Sequence, residues 1–244
     1  AYEIKECDWS SDVCSSDLAT FFVVGWVAER FPHLVEAVRA AGHEIGSHSS
    51  RHQRVYELGP EHFRQDLQAS VRALHAAGAG DIVGFRAPEW SINDRSLWAL
   101  DILAEEGFTL DASMAPLKIV GSVSYPRHPY VRRTAQGSLV EIPPLVADRF
   151  GQVMPLGWGW GLRMSAPQRV LRAIDELNQR GTPAVLTVHP WEIDPDPPRV
   201  ALPWRLEFAH YFRLSGFPER LRTILCEGSF GPISRLATAV PATS

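Results

Sequence analysis

Residues 19–52 read ATFFVVGWVAERFPHLVEAVRAAGHEIGSHSSRH, and their pattern decides the fold. The apolar run 19–25 is short and unbroken, as in a strand covered on both faces. Residues 26–41 then set Val27, Phe31, Leu34, Val35 and Val38 at helical spacing, and Gly42 supplies a C-cap. A short strand, 44–47, ends at His48. The same rhythm continues outward. A helix over 60–77 begins with Pro60 and carries Phe63, Leu67, Val71 and Leu74 on one face. A strand over 83–87, a helix over 96–106 and a strand over 109–112 follow. Residues 130–134 and 138–142 flank Gln136-Gly137 and predict a hairpin. GWGWG at 157–161 reads as a loop, 167–180 as a helix and 184–189 as a strand. Helical stretches over 204–212 and 218–227 finish the chain. Repeated βα units with short loops predict an α/β fold, either a parallel barrel or a doubly wound sheet.

The composition sets outer limits. Of 244 residues, 45% are hydrophobic and 21% charged, which is globular. A net charge of -4 gives no attraction for phosphate backbones or anionic lipid, and argues against nucleic-acid partners. No run approaches the ~20 apolar residues that cross a bilayer. Only Lys5 and Lys118 are lysines among 24 basic residues, a skew expected from a GC-rich genome. Cys7, Cys14 and Cys226 are too scattered for a disulfide framework or a thiolate zinc site. Cys226 lies on a helical pattern and is expected to be a small core residue.

Residues 1–18, AYEIKECDWSSDVCSSDL, stand apart. They show no periodicity, repeat SSD, and resemble the conceptual translation of a short-read sequencing adapter. They are therefore expected to be a non-native segment outside the fold. On that expectation a single domain with a C-terminal helical extension runs over 19–244, and native sequence before Ala19 is missing.

The residues that carry chemistry sit where strands end. His48-Ser49-Ser50-Arg51-His52 places two imidazoles at i and i+4, about 5–6 Å apart on one helical face, within reach of one metal ion. Imidazole suits zinc and other late first-row ions. A chance pair among nine histidines would look the same. His189 closes the strand VLTVH before Pro190, where α/β barrels place catalytic groups, though a structural histidine fits there too. Arg86-Ala87-Pro88 offers a guanidinium able to fix a carboxylate, or an ordinary salt bridge. Asp111-Ala112-Ser113 offers a carboxylate, or an Asx turn. One rim of a barrel would gather all four.

The ordered set TFFV, HSxxH, RAP, DxS and VHP resembles the polysaccharide deacetylases of carbohydrate esterase family 4, the NodB-homology group. The tail HPWEIDPDPPR with FAHYFRL resembles the exosortase-associated branch linked to bacterial exopolysaccharide loci. The resemblance implies a distorted (β/α)7 barrel and a metal-dependent hydrolase that removes N-acetyl groups from an amino-sugar exopolysaccharide. It implies zinc, or another divalent transition metal, held by one aspartate and two histidines. Carried over, His48 and His52 are metal ligands and His189 is the general acid. Arg86 positions the catalytic base, and Asp111 orients the catalytic histidine. Trp158, Trp160 and Trp191 would stack on rings of a polysaccharide or oligosaccharide, with core packing the alternative for at least one of them.

The sequence departs from the family at one place. The family's first motif, an Asp-rich strand, supplies the third metal ligand and the base, and belongs ahead of ATFFVVG, where residues 1–18 stand. The barrel is thus expected to lack its first βα unit, and the chain as written to bind zinc weakly and turn over poorly. Two other readings stay open: a non-catalytic carbohydrate-binding barrel, and a hydrolase of a small cyclic amide on the same fold. HSxxH together with VHP favours an enzyme, and the exopolysaccharide-type tail favours a polymer.

Overall fold

The computed structural model describes residues 18–194, 196–237 and 240. The expectation for residues 1–18 falls almost wholly outside them. Strands β1 (Thr20–Val23), β2 (Glu44–Ser47), β3 (Ile82–Phe85) and β4 (Leu110–Asp111) lie side by side and parallel. A hairpin extends the row: β6 (Gly137–Glu141) is parallel to β4, and β5 (Tyr130–Thr134) is antiparallel to β6. The parallel α/β fold is as the sequence predicts. Among the described residues, β1 pairs only with β2, so the row is open at that side and a closed barrel is not seen.

Helices fill the crossovers. Residues 26–41 form two helices, α1 (Gly25–Arg30) and α2 (Pro32–Ala40), where one was predicted. Pro32 bars its predecessor from helical geometry, and Phe31 takes φ -135 and ψ 58. Helix α3 (Val55–Ala76) starts earlier than Pro60, with Gly59 at φ 73 absorbing the break. Helix α4 (Trp98–Glu105) leads to β4. These helices bury Phe63, Leu67, Leu100 and Leu103 against Phe85 on one face of the sheet, with the Phe63 and Phe85 rings edge-on at 5.6 Å. The other face gathers Leu110, Ala112, Ile142 and Val185 with Phe22. Gly46 makes room there, since a Cβ on it would stand 2.6 Å from the Phe22 ring.

The C-terminal half departs more from its sequence pattern. An unpredicted hairpin, β7 (Val146–Arg149) and β8 (Gln152–Pro155), turns through Phe150 (φ 52) and Gly151 (φ 72). GWGWG runs into helix α5 (Gly159–Met164), and α6 (Pro167–Asn178) follows. Residues 184–189 form no ladder. Instead Leu145 N–H donates to Val185 O at 2.9 Å and Thr187 N–H to Gly157 O at 2.7 Å, so this segment extends the wall by changing partners. Helices α7 (Pro190–Ile193), α8 (Trp204–Tyr211), α9 (Phe217–Glu227) and α10 (Ser234–Ala237) complete the chain. Leu145, Leu162, Val170, Phe217 and Ile224 form a second core beneath them. Cys226 is exposed on α9, not a core residue: the helix turns Leu221 and Ile224 inward instead. No helix among the described residues is long and apolar enough to cross a membrane.

Candidate active site

Ladder hydrogen bonds run past the strand ends and hold the candidate residues in line. His48 N–H donates to Val23 O, Arg86 N–H to Ser47 O, and Ala112 N–H to Phe85 O. The loop after β2 is built around α1. Gly25 and Trp26 donate their N–H groups to Ser49 O and Ser50 O, both at 2.9 Å, and Asp66 accepts the Ser50 N–H. Ser49 at φ 67 and His52 at φ 56 occupy left-handed backbone that costs energy for such residues and recurs at functional sites. The effect is to bring His52 back beside His48, with ring centroids 4.9 Å apart and nearly perpendicular.

His48 is the more constrained imidazole. Its Nδ1 lies 2.6 Å from Arg86 O. As Nδ1–H donates there, Nε2 keeps its lone pair, the orientation by which a backbone carbonyl prepares a histidine for a metal. Burial pushes its pKa down to about 3, so the ring is neutral as a ligand must be. The pair therefore suits a late first-row divalent ion. Among the described residues, no further His, Cys, Asp or Glu joins them to make three.

Arg86 joins this pair to the segment that carries His189. Its Nη1 donates to Thr187 Oγ1 at 2.9 Å, and its guanidinium lies 4.0 Å from the centre of the Trp90 ring. Glu89 (φ 52) and Trp90 (φ 56) are also left-handed, which folds the turn after Pro88 so that Trp90 can cover Arg86. Burial pulls the guanidinium down to about 10, opposed by the charges of Asp111 and Glu141. A line of contacts thus runs from His52 through His48 and Arg86 to Thr187, two residues before His189.

Asp111, expected to orient the catalytic histidine, is buried at the end of β4 beside Ser113 and in register with Glu141. Its Oδ1 accepts from Ser113 Oγ, and its Oδ2 is buried with no hydrogen-bond partner among the described residues. The ring of His189 is held by Glu192 instead: Nδ1 lies 2.9 Å from Glu192 Oε2, which also accepts the His189 backbone N–H at 3.0 Å. Sequence reasoning missed Glu192 although its signal was there, an acid three residues after a helix N-cap. It missed Glu141 too, an acid at an inward position of β6, in register with Asp111. The three candidate tryptophans have ring partners. Trp158 lies on Trp90 at 4.6 Å, Trp160 near Phe208 at 5.6 Å, and Trp191 stacks on His210 at 4.0 Å.

Asp111 and Glu141 are both fully buried, and two such carboxyls hold fewer than two charges. Burial pushes Asp111 up to about 6, and burial followed by the Asp111 charge raises Glu141 well above the carboxylate range. Both pKa values are raised on folding, so the stability this pair contributes is full below pH ~4 and is lost as pH rises through about 6. Glu141→Gln keeps a donor for Asp111 without a proton to lose. It is expected to flatten the pH dependence of stability between pH 4 and 7. Urea unfolding of both proteins across that range checks this. His48, whose pKa is lowered, acts in the opposite sense between about 3 and 6.5 and cancels in the comparison.

Residues 18–109 match the polysaccharide deacetylase family, and residues 112–238 match a domain of unknown function, DUF3473. A chitooligosaccharide deacetylase of Azorhizobium caulinodans is 33% identical over 79 residues, covering 31% of this chain and 38% of that protein. A peptidoglycan-N-acetylglucosamine deacetylase of Bacillus cereus is 29% identical over 84 residues, 34% of this chain and 30% of the relative. These matches span about a third of each relative's length. A Mycobacterium smegmatis crystal structure assigned to the polysaccharide deacetylases has a TM-score of 0.59 at 24% identity, over 93% of this chain and 72% of that one. An allantoinase structure has a TM-score of 0.58 at 18% identity, over 91% of this chain and 67% of the other. At these identities both structures speak to the fold alone.

Proposed function

Since the chain belongs to the polysaccharide deacetylases and carries DUF3473 as its C-terminal half, we propose that its site removes N-acetyl groups from an amino-sugar polymer with the help of a divalent metal. The observation that carries this reading is the line of contacts from His52 and His48 through Arg86 to the segment bearing His189. His48 and His52 would hold the ion, which supplies Lewis acidity toward an amide carbonyl and toward water. The amide C–N bond breaks, water adds to the acyl carbon, and acetate and a free amine leave. His189, with an exposed ring at the end of its segment, donates the proton that the leaving amine needs. Arg86, buried and fixed by Thr187 and Trp90, orients the carboxylate that takes the proton from water. That carboxylate, also the third metal ligand, would come from an aspartate on a strand beside the free side of β1. Trp158, Trp160 and Trp191 would line the path of the sugar chain. An exopolysaccharide fits best because the tail resembles that branch, and a polymer fits better than a small cyclic amide for the same reason.

Zinc affinity tests the metal half of this reading directly. The two imidazoles, joined by no anionic ligand among the described residues, should bind zinc weakly, and His48→Ala should weaken binding at least about tenfold further. Calorimetric titration of both proteins reads this. Equal affinity in the two would place the ion elsewhere.

A further inference from the structure

His189 is fastened from within the HPWEIDPDPPR stretch, by the acid three residues after it. Glu192 is fully buried, and one of its oxygens, Oε2, serves both the imidazole Nδ1 and the backbone N–H of His189. Its other oxygen, Oε1, lies 3.2 Å from Arg163 Nε, close enough for an ion pair although not aligned as a hydrogen bond. The two side chains are 3% and 0% exposed, so this charge pair is withdrawn from water. Arg163 belongs to α5, and its Nη1 donates to His210 O at 2.8 Å and to Phe212 O at 3.1 Å beyond α8. The Arg163 guanidinium also lies 5.3 Å from the Trp191 ring, whose plane stacks on both His189 and His210. A single buried cation therefore ties α5, α7 and the end of α8 to the partner of His189.

We propose that Glu192, anchored by Arg163, is the positioning residue of His189, fixing its tautomer and compensating the charge of the imidazolium that gives up its proton at the leaving amine. This rests on the acid role of His189 proposed above, and assigns to Glu192 the part that the family resemblance implied for Asp111. The geometry supports it on three counts. The carboxylate contacts Nδ1 and leaves Nε2 for the leaving amine. Its fixed position comes from a buried ion pair and a backbone hydrogen bond, so it cannot rotate away without breaking both. Asp111, by contrast, is engaged with Ser113 and Glu141. As Nδ1–H donates to Glu192, Nε2 of the neutral ring is left without a proton, the reverse of the tautomer that free histidine favours.

Nitrogen-15 NMR of the His189 side chain reads the tautomer whether or not the chain turns over. The wild-type protein should show a ring protonated on Nδ1, and Glu192→Leu should lose that preference while Glu192→Gln, whose amide oxygen still accepts, keeps it. In a form of the chain that releases acetate, Glu192→Gln should lower kcat at least about tenfold with KM little changed. If Glu192→Leu does not fold, Arg163→Leu with Glu192→Leu removes both buried charges and should fold with the tautomer altered. An unchanged His189 tautomer in the leucine variants, or full activity in Glu192→Gln while His189→Ala is inactive, would overturn the proposal. Absence of acetate release from every N-acetylated oligomer would count against the deacetylase reading instead, and the tautomer would still decide the role of Glu192.

Discussion

Arg163→Leu is expected to destabilise the fold by about 3–5 kcal/mol, because it leaves the Glu192 carboxylate buried without its counter-charge. Two further losses add to it. The carbonyls of His210 and Phe212 lose their shared donor, and the Trp191 ring loses the cation near it. Urea unfolding at neutral pH should show the midpoint falling with little change in slope. Removing both charges is expected to behave differently. Arg163→Leu with Glu192→Leu should recover a good part of the loss, since two apolar groups of similar volume often replace a buried ion pair at little cost. The double variant would still lack the partner of His189. Stability and positioning can thus be separated in one pair of proteins. A cost for Arg163→Leu within about 0.5 kcal/mol of zero would mean that water reaches the pair.

In a form of the chain that releases acetate, His189→Ala is expected to lower that release by about 10²–10⁴-fold, the usual worth of a positioned general acid. The effect should fall on kcat, because an exposed ring at the end of its segment contributes little to holding the substrate. Its effect on folding should be small, within about 1 kcal/mol, since the side chain is 46% exposed. Activity that survives His189→Ala would move the proton donor to another group.

Much of the N-terminal half is legible in its residues. Short apolar runs that end in His48, in Arg86 or at Asp111 show both the parallel strands and the rim where chemistry collects, because a strand buried on both faces leaves only its ends for polar groups. The break at Phe31-Pro32 was equally visible, but the apolar spacing ran through it and suggested one helix. The C-terminal half is harder for a physical reason. Residues 184–189 look like a strand, yet their backbone bonds divide between Leu145 and Gly157, a pairing that depends on where other segments lie. The turn at Phe150-Gly151 lacks the usual Asn-Gly signal, so its hairpin went unseen. In the site, the histidines and Arg86 can be found from their spacing, whereas Glu141 and Glu192 cannot be assigned from spacing alone. Each is an ordinary acid in the chain, and its importance comes from the burial and the partners that folding provides.

The most direct test is acetate release from N-acetylglucosamine oligomers with added zinc, comparing this chain with one carrying an aspartate-bearing strand ahead of Ala19. The chain with that strand should release acetate, and release should depend on zinc, on His48 with His52, and on His189. This chain alone should release little. Comparable release by the two, or release that survives the double variant His48→Ala with His52→Ala, would contradict the account.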